Sequence, residues 1–301
     1  MNIDEKYEAR INSMDEFIYD WKPENYDDPS KPILKITKSS LGTMKWCPKK
    51  YEFSYPLRLP QATSEAMIKG TQVHNSREDY FDVFDMKKAE SLSHSELVDY
   101  NMSLHPIDGN TDMYKTISTF EAQRFIDARD KDKLHEYLPV VNEEILDAEI
   151  SIPHAINPKF ILERDYHVHL QGIIDRVYLE DNSYIPMELK TGPWKDYKLT
   201  SMRKELAFYK LLIENATPES LAAAGIDGDI PITHWGWYYP ASNFIQVELA
   251  KKQSTNAVMR GITQIISAYE RKEFPTKYYF KTCQHCSFYA LCEMAQQEEW
   301  L

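Results

Sequence analysis

The chain has 301 residues, 43% hydrophobic and 27% charged, with 35 Lys and Arg against 47 Asp and Glu for a formal charge of -12. That length buries a sizeable core in one large domain or two ordinary ones. No run approaches the roughly 18 consecutive apolar residues of a membrane span, the mean hydropathy is -0.56, and the opening MNIDEKYEAR lacks a secretory signal's basic start and apolar stretch, so a soluble cytoplasmic protein without a membrane partner is expected.

Residues 1-34 are acidic and broken by Pro23, Pro29 and Pro32, which predicts a frayed helix and an extended arm. Residues 1-30 alone carry a net charge of -6. Downstream, two basic, aromatic-rich stretches remain, residues 35-58 and 186-210, and the second holds Lys195, Lys198, Arg203 and Lys204. Such stretches can track phosphates despite the acidic average. Ser39 or Ser40 is expected to cap a short helix through Leu41, Met44 and Trp46. Spacing predicts a helix from Glu65 to Asp85, with His74 one turn after Gly70 on the same face. Residues 87-145 read as a polar helical insertion that includes a helix over Thr116 to Asp130.

The composition then turns β-branched and aromatic, predicting three consecutive strands at Asp147 to Ile152, Tyr166 to Leu179 and Ser183 to Leu189. A helix follows over Ser201 to Glu214, then strands near Ile232 to Tyr239 and Phe244 to Leu249, then a helix from about Thr255 to Lys272. The order α-βββ-α-β-β-α reads as an α+β core with a mixed sheet. Beyond it lies Cys283-x2-Cys286-x5-Cys292, and the remaining cysteine is Cys47. This spacing suggests a metal site in a chain with too few cysteines for a disulfide framework.

Asp175 and Glu188, on neighbouring strands, can point at one spot, and strand alternation puts Lys190 on the face of Glu188. Hard oxygen ligands suit Mg²⁺ or Mn²⁺, and a lysine beside them can orient a water or offset charge on a phosphate. A cross-strand salt bridge on a solvated face is the plain alternative.

The segments Gly172-Ile173-Ile174-Asp175 and Pro186-Met187-Glu188-Leu189-Lys190 resemble the PD-(D/E)-x-K nuclease signature in its RecB-like form, and P-M-E-L-K is similar to the P-V-E-Y-K of the CRISPR-associated iron-sulfur exonucleases. Four further features occur in the family's order: Gly70-x3-His74, Glu205-x3-Tyr209 where Q-x3-Y is usual, Ser39-Ser40-Leu41-x5-Cys47-Pro48-x2-Tyr51, and Cys283-x2-Cys286-Ser287-x4-Cys292. The resemblance implies a restriction-endonuclease-like core (α-βββ-α-β) over residues 35-301, with the 87-145 insertion and a C-terminus stapled at 283-292. It implies that His74, Asp175, Glu188 and the Leu189 carbonyl hold the catalytic Mg²⁺ or Mn²⁺, with Lys190 as the catalytic lysine and Tyr209 contacting the DNA backbone or supporting the site. Glu205 departs from the pattern, replacing a neutral donor with a carboxylate that can repel phosphate or recruit another metal.

For Cys47, Cys283, Cys286 and Cys292 the alternatives are structural zinc, reduced thiols and the [4Fe-4S] cluster that the resemblance favours. The implied function is a metal-dependent DNA exonuclease acting on single strands or free ends. Its implied setting is a bacterial cell, or a host cytoplasm for a phage-encoded homologue, with a helicase, recombination or CRISPR-adaptation partner. The alternative is a catalytically silent nuclease fold serving as a DNA-binding or adaptor subunit.

Overall fold

The computed structural model describes residues 34-61, 65-279 and 283-292, so the acidic arm expected over 1-34 lies, Leu34 apart, outside the described residues. The chain divides into two compact units. Asp147–Gln171 belong to the first, together with the chain up to Ala62 and from Asn256 onward; Thr63–Leu146 and Gly172–Thr255 form the second.

In the first unit a two-residue strand, β1 (Lys35–Ile36), pairs in parallel with β3 (Tyr166–Glu180) through Lys35 opposite His169 and Ile36 opposite Leu170. Helix α1 (Lys38–Trp46) follows, and its cap is Thr37 rather than the expected Ser39 or Ser40. Thr37 is extended and accepts the Ser40 backbone N–H at 3.1 Å, while Ser40 Oγ accepts the Thr37 N–H at 3.0 Å. This reciprocal capping box makes Ser40 the third helical residue. Cys47, extended at φ -157°, ends α1, and Pro48 opens α2 (Pro48–Ser54) at the position where its missing N–H costs nothing. Tyr51 of α2 stacks on Tyr55 and Phe274 at 4.9 and 6.0 Å between centroids, and meets Tyr269 edge-on at 6.3 Å. Tyr269 belongs to α9 (Lys252–Arg271), which buries Val258, Ile262, Ile265, Ile266 and Tyr269 along one stripe.

The second unit opens with α3 (Glu65–Val83), α4 (Met86–Glu90), α5 (His94–Ser103) and α6 (Thr111–Asp130). Tyr80, Phe84, Leu97, Ala122, Phe125 and Tyr137 form the fully or nearly fully buried cluster that joins them. Strand β2 (Val141–Ile152) starts six residues before the expected Asp147. Asn142-Glu143-Glu144 breaks the apolar alternation that marks the rest of β2, so the pattern conceals the strand's beginning. At that break Glu143 adopts φ +56°, a left-handed conformation that costs a side-chain-bearing residue roughly 1–2 kcal/mol.

Strand β2 pairs with β3, and β3 pairs antiparallel with β4 (Ser183–Leu189). β4 then pairs in parallel with β5 (His234–Tyr239), which pairs antiparallel with β6 (Phe244–Leu249). The sheet is therefore mixed, as expected. β4 lies between two neighbours and is buried at all but one position, so its sequence is nearly continuously apolar rather than alternating. Helix α7 (Leu199–Asn215) follows β4, and the short α8 (Pro218–Ala223) follows α7. A Cβ at Gly172 of β3 would stand 2.9 Å from Leu212 Cδ1 and 3.2 Å from Phe208 Cε1; the missing side chain lets α7 lie close on the strand. Among the described residues, no helix is long and apolar enough to cross a membrane.

Candidate active site

Pairing of Arg176 with Met187 sets the β3/β4 register; one step further along the ladder brings Asp175 beside Glu188. Both are nearly excluded from solvent, at 6% and 2% exposure. The Tyr209 hydroxyl of α7 lies 2.6 Å from Glu188 Oε2 and 3.2 Å from Asp175 Oδ1. Asp175 Oδ2 also accepts the Leu189 backbone N–H at 2.9 Å. Tyr209 is itself completely buried, and burial beside Asp175 and Glu188 pushes its phenol well above the ordinary value, so it stays a neutral hydroxyl.

Lys190 pairs with Glu188 and, at 2.8 Å, with Glu205 Oε2. Burial opposes the ammonium charge, but the two carboxylates outweigh it and raise the Lys190 pKa above its usual value. Glu205, one turn before Tyr209 on α7, is thus a partner for the lysine. His74, on α3, places Nδ1 at 3.1 Å from Glu143 Oε1 and 3.9 Å from Asp175 Oδ2. Burial pulls the His74 pKa down, yet Glu143, Asp175 and Glu188 raise it on balance.

One ligand atom each from His74, Glu143 and Asp175 lies within 4.8 Å of the others. The two measured separations, 3.1 and 3.9 Å, fall inside the roughly 4.2 Å that spans an octahedral shell with bonds of about 2.1 Å. A nitrogen with two hard carboxylate oxygens suits Mn²⁺ or Mg²⁺. Glu143 falls within the expected helical insertion over 87-145, and no motif singles it out; the structure places it in β2 instead. Its left-handed backbone at a break in strand alternation is the feature associated with functional positions, but no sequence pattern displays it.

Two cations of the basic stretch have partners within the chain. Arg203 is bound in a fork by Glu248, at 2.6 and 2.5 Å from Nε and Nη2. Lys198 donates to the Pro193 carbonyl at 2.6 Å and stands over the Tyr239 ring. Lys195 is exposed and Lys204 half-buried.

In the first unit Cys47, Cys283, Cys286 and Cys292 line one pocket together with Phe53 and Phe288. Cys47 Sγ accepts the Lys277 N–H at 3.5 Å and Cys283 Sγ the Tyr279 N–H at 3.4 Å. Among the described residues, His74, Glu143 and Asp175 are the one group of three or more metal-ligand atoms drawn within 4.8 Å of one another.

A β-hairpin whose two strands each offer a carboxylate, braced from one helix and approached by a histidine from another, is the architecture of the α+β nucleases of restriction-endonuclease type. The model of the PD-(D/E)XK nuclease superfamily matches residues 35–293, and the chain belongs to that superfamily. Its nucleases are divalent-metal-dependent hydrolases. The match reaches the superfamily and does not single out the CRISPR-associated iron-sulfur branch. Among solved structures, one described as the crystal structure of SSO0001 is similar over 96% of each chain, at 12% identity and a TM-score of 0.41. No curated protein matches the chain.

Proposed function

We propose that this chain is an exonuclease that hydrolyses phosphodiesters of single-stranded or free DNA ends. The observation that carries the reading is the meeting of Asp175 and Glu188 on adjacent strands, with Lys190 just beyond β4 and His74 and Glu143 beside them. His74, Glu143 and Asp175 would hold Mg²⁺ or Mn²⁺, with Glu188 and the Leu189 carbonyl adjoining. When bound, the ion supplies Lewis-acid polarisation of a phosphodiester oxygen and a more acidic water. Tyr209 fixes the orientation of both carboxylates by donating to either one. The Lys190 ammonium, held between Glu188 and Glu205, orients the attacking water and offsets negative charge that builds on the phosphoryl oxygens. A silent adaptor would have no use for two buried carboxylates drawn together against their mutual repulsion.

The same reading gives the four cysteines a [4Fe-4S] cluster that joins Cys47 to Cys283, Cys286 and Cys292. Its support is the shared pocket and the N–H donors aimed at Cys47 and Cys283, the kind of hydrogen bond that tunes such clusters. The role is structural.

End-labelled single-stranded DNA and a covalently closed circle, each incubated with Mn²⁺ and with EDTA, test the function. Metal-dependent release of short products from the linear substrate, with the circle intact, is expected. Cutting of the circle at a comparable rate makes the protein an endonuclease, and inert linear DNA in a metal-loaded, folded preparation removes the catalytic reading.

A further inference from the structure

On the second unit, behind the face of β3 that carries Asp175, three guanidinium groups gather around a single buried carboxylate. Arg77 of α3 is 2% exposed and donates from Nη2 to Glu121 Oε1 at 2.7 Å. Arg124 of α6 donates to Glu121 Oε2 at 2.8 Å and to the Tyr137 carbonyl at 2.6 Å. Arg176 of β3 is 4% exposed, and its guanidinium lies 4.9 Å from the centre of the Phe81 ring, over which Arg77 also sits at 5.4 Å. Against burial, the three arginines keep Glu121 ionised, with its pKa below the ordinary carboxylate value. Glu188, 2% exposed, and the more exposed Glu180 also line the cavity, so three guanidinium groups and three carboxylates meet there.

The donors are not all used. Nε and Nη1 of Arg77 and Nε of Arg176 are buried and have no hydrogen-bond partner among the described residues. Leaving a buried donor unsatisfied costs about 1–3 kcal/mol, and more when it is charged, so a fold rarely tolerates three together. Burial and the nearby Arg77 already push Arg176 down to about 10. All three arginines line a cavity of about 220 Å³, large enough for several water molecules. The rest of its wall is largely apolar: Phe120 stacked on Tyr238 at 4.5 Å, Met187, and at the mouth Ile245 and Val247.

We propose that this cavity is a binding site for a phosphate dianion, presented either as inorganic phosphate or as the phosphate of a nucleoside 5′-monophosphate. A planar carboxylate is satisfied by one guanidinium fork, whereas here the unused N–H groups belong to two arginines from different elements, and a tetrahedral oxyanion accepts from several directions at once. The apolar and aromatic wall offers a surface for a sugar or base. The cavity wall includes Glu188 and Leu189, which the proposed nuclease site also uses, but the unused donors belong to Arg77 and Arg176, which that site does not use.

Titration calorimetry of the full chain in EDTA, with sodium phosphate, deoxyadenosine 5′-monophosphate, deoxyadenosine and sodium chloride of matched ionic strength, tests the proposal. One phosphate site per chain is expected, with binding weakened about tenfold or more by Arg176→Lys and by Val247→Trp, and retained in Asp175→Ala. Arg176→Lys keeps the charge and loses the fork; Val247→Trp leaves every arginine in place and obstructs the mouth, so the two do not share a folding defect. Equal affinity for phosphate and nucleotide assigns inorganic phosphate, and a nucleotide bound at least tenfold tighter, with deoxyadenosine weak, assigns the monoester. Absence of binding, an equal response to chloride, binding unchanged in both variants, or loss in Asp175→Ala would each overturn it.

Discussion

In the second unit the acids stand on paired strands, the tyrosine on a 17-residue helix and Lys190 just past the end of β4, and most already hold one another by hydrogen bonds. In the first unit the four thiols come from a single extended residue between two helices and from a turn-rich segment, and they share a pocket without bonding to one another. One site is thus positioned by strand register before any ion arrives. The other lies on backbone with little regular structure of its own, where a bound group would contribute folding energy. Substitution at the first should cost activity, and at the second stability.

The largest expected effect is at the carboxylates. Asp175→Asn and Glu143→Gln should lower metal-dependent cleavage by about a thousandfold or more, with unfolding temperature unchanged or raised, because each removes charge from a repulsive buried group. Wild-type cleavage rates for either variant, measured on end-labelled DNA, would break the assignment of that residue.

Cys286→Ser should show the opposite profile. Protein purified without air should contain about four iron and four sulfide per chain. The variant should lose that content and several degrees of unfolding temperature, a stability change on the order of 2 kcal/mol, and cleavage should fall only as folded protein is lost. A stoichiometric zinc in place of iron would redirect the cluster reading while keeping the contrast; an equally stable quadruple cysteine variant would break it.

Acid should weaken the second unit without involving either site. His105 is stacked between Tyr114 and Tyr80 at 4.6 and 5.5 Å, and burial, reinforced by Arg77 against the smaller pull of Glu121 and Asp108, pushes its pKa down to about 4. The unfolded chain, with the ordinary value of 6.5, takes up the proton first. Stability should therefore fall as pH drops from 6.5 to 4, by up to about 3 kcal/mol, and this contribution should level off below that. Urea unfolding at pH 7 and pH 5 should show a smaller loss for His105→Phe than for wild type.

Tyr209→Phe sharpens the idea of preset carboxylates. Losing the hydroxyl shared by Asp175 and Glu188 should cut Mn²⁺ affinity by about 10- to 100-fold, measured by calorimetry, with cleavage recovering as Mn²⁺ is raised. The smallest effect is expected from Glu205→Gln. Lys190 keeps its contact with Glu188, so cleavage should stay within about threefold of wild type; complete loss would make Glu205 a ligand.

Much of this protein is written in local chain pattern. The β-branched runs around Ile174 and Ile185, the 3.6-residue stripe of Met202, Leu206, Tyr209 and Ile213, and strand alternation placing Lys190 with Glu188 each depend on neighbours a few residues away, and strands and helix form where those patterns place them. Clustering of the cysteines is legible for a related reason: three of them are close in sequence. Tertiary structure alone decided the rest. Glu143 joins His74 because a left-handed residue interrupts β2, and hydrophobic periodicity carries no record of that backbone angle. Arg203 of α7 meets Glu248 of β6 in a fork, a pairing that local sequence pattern does not display. Arg77, Arg124 and Arg176 come from three separate elements; only the packing of α3 and α6 against β3 gathers them around Glu121, because charge compensation depends on distance in space rather than along the chain.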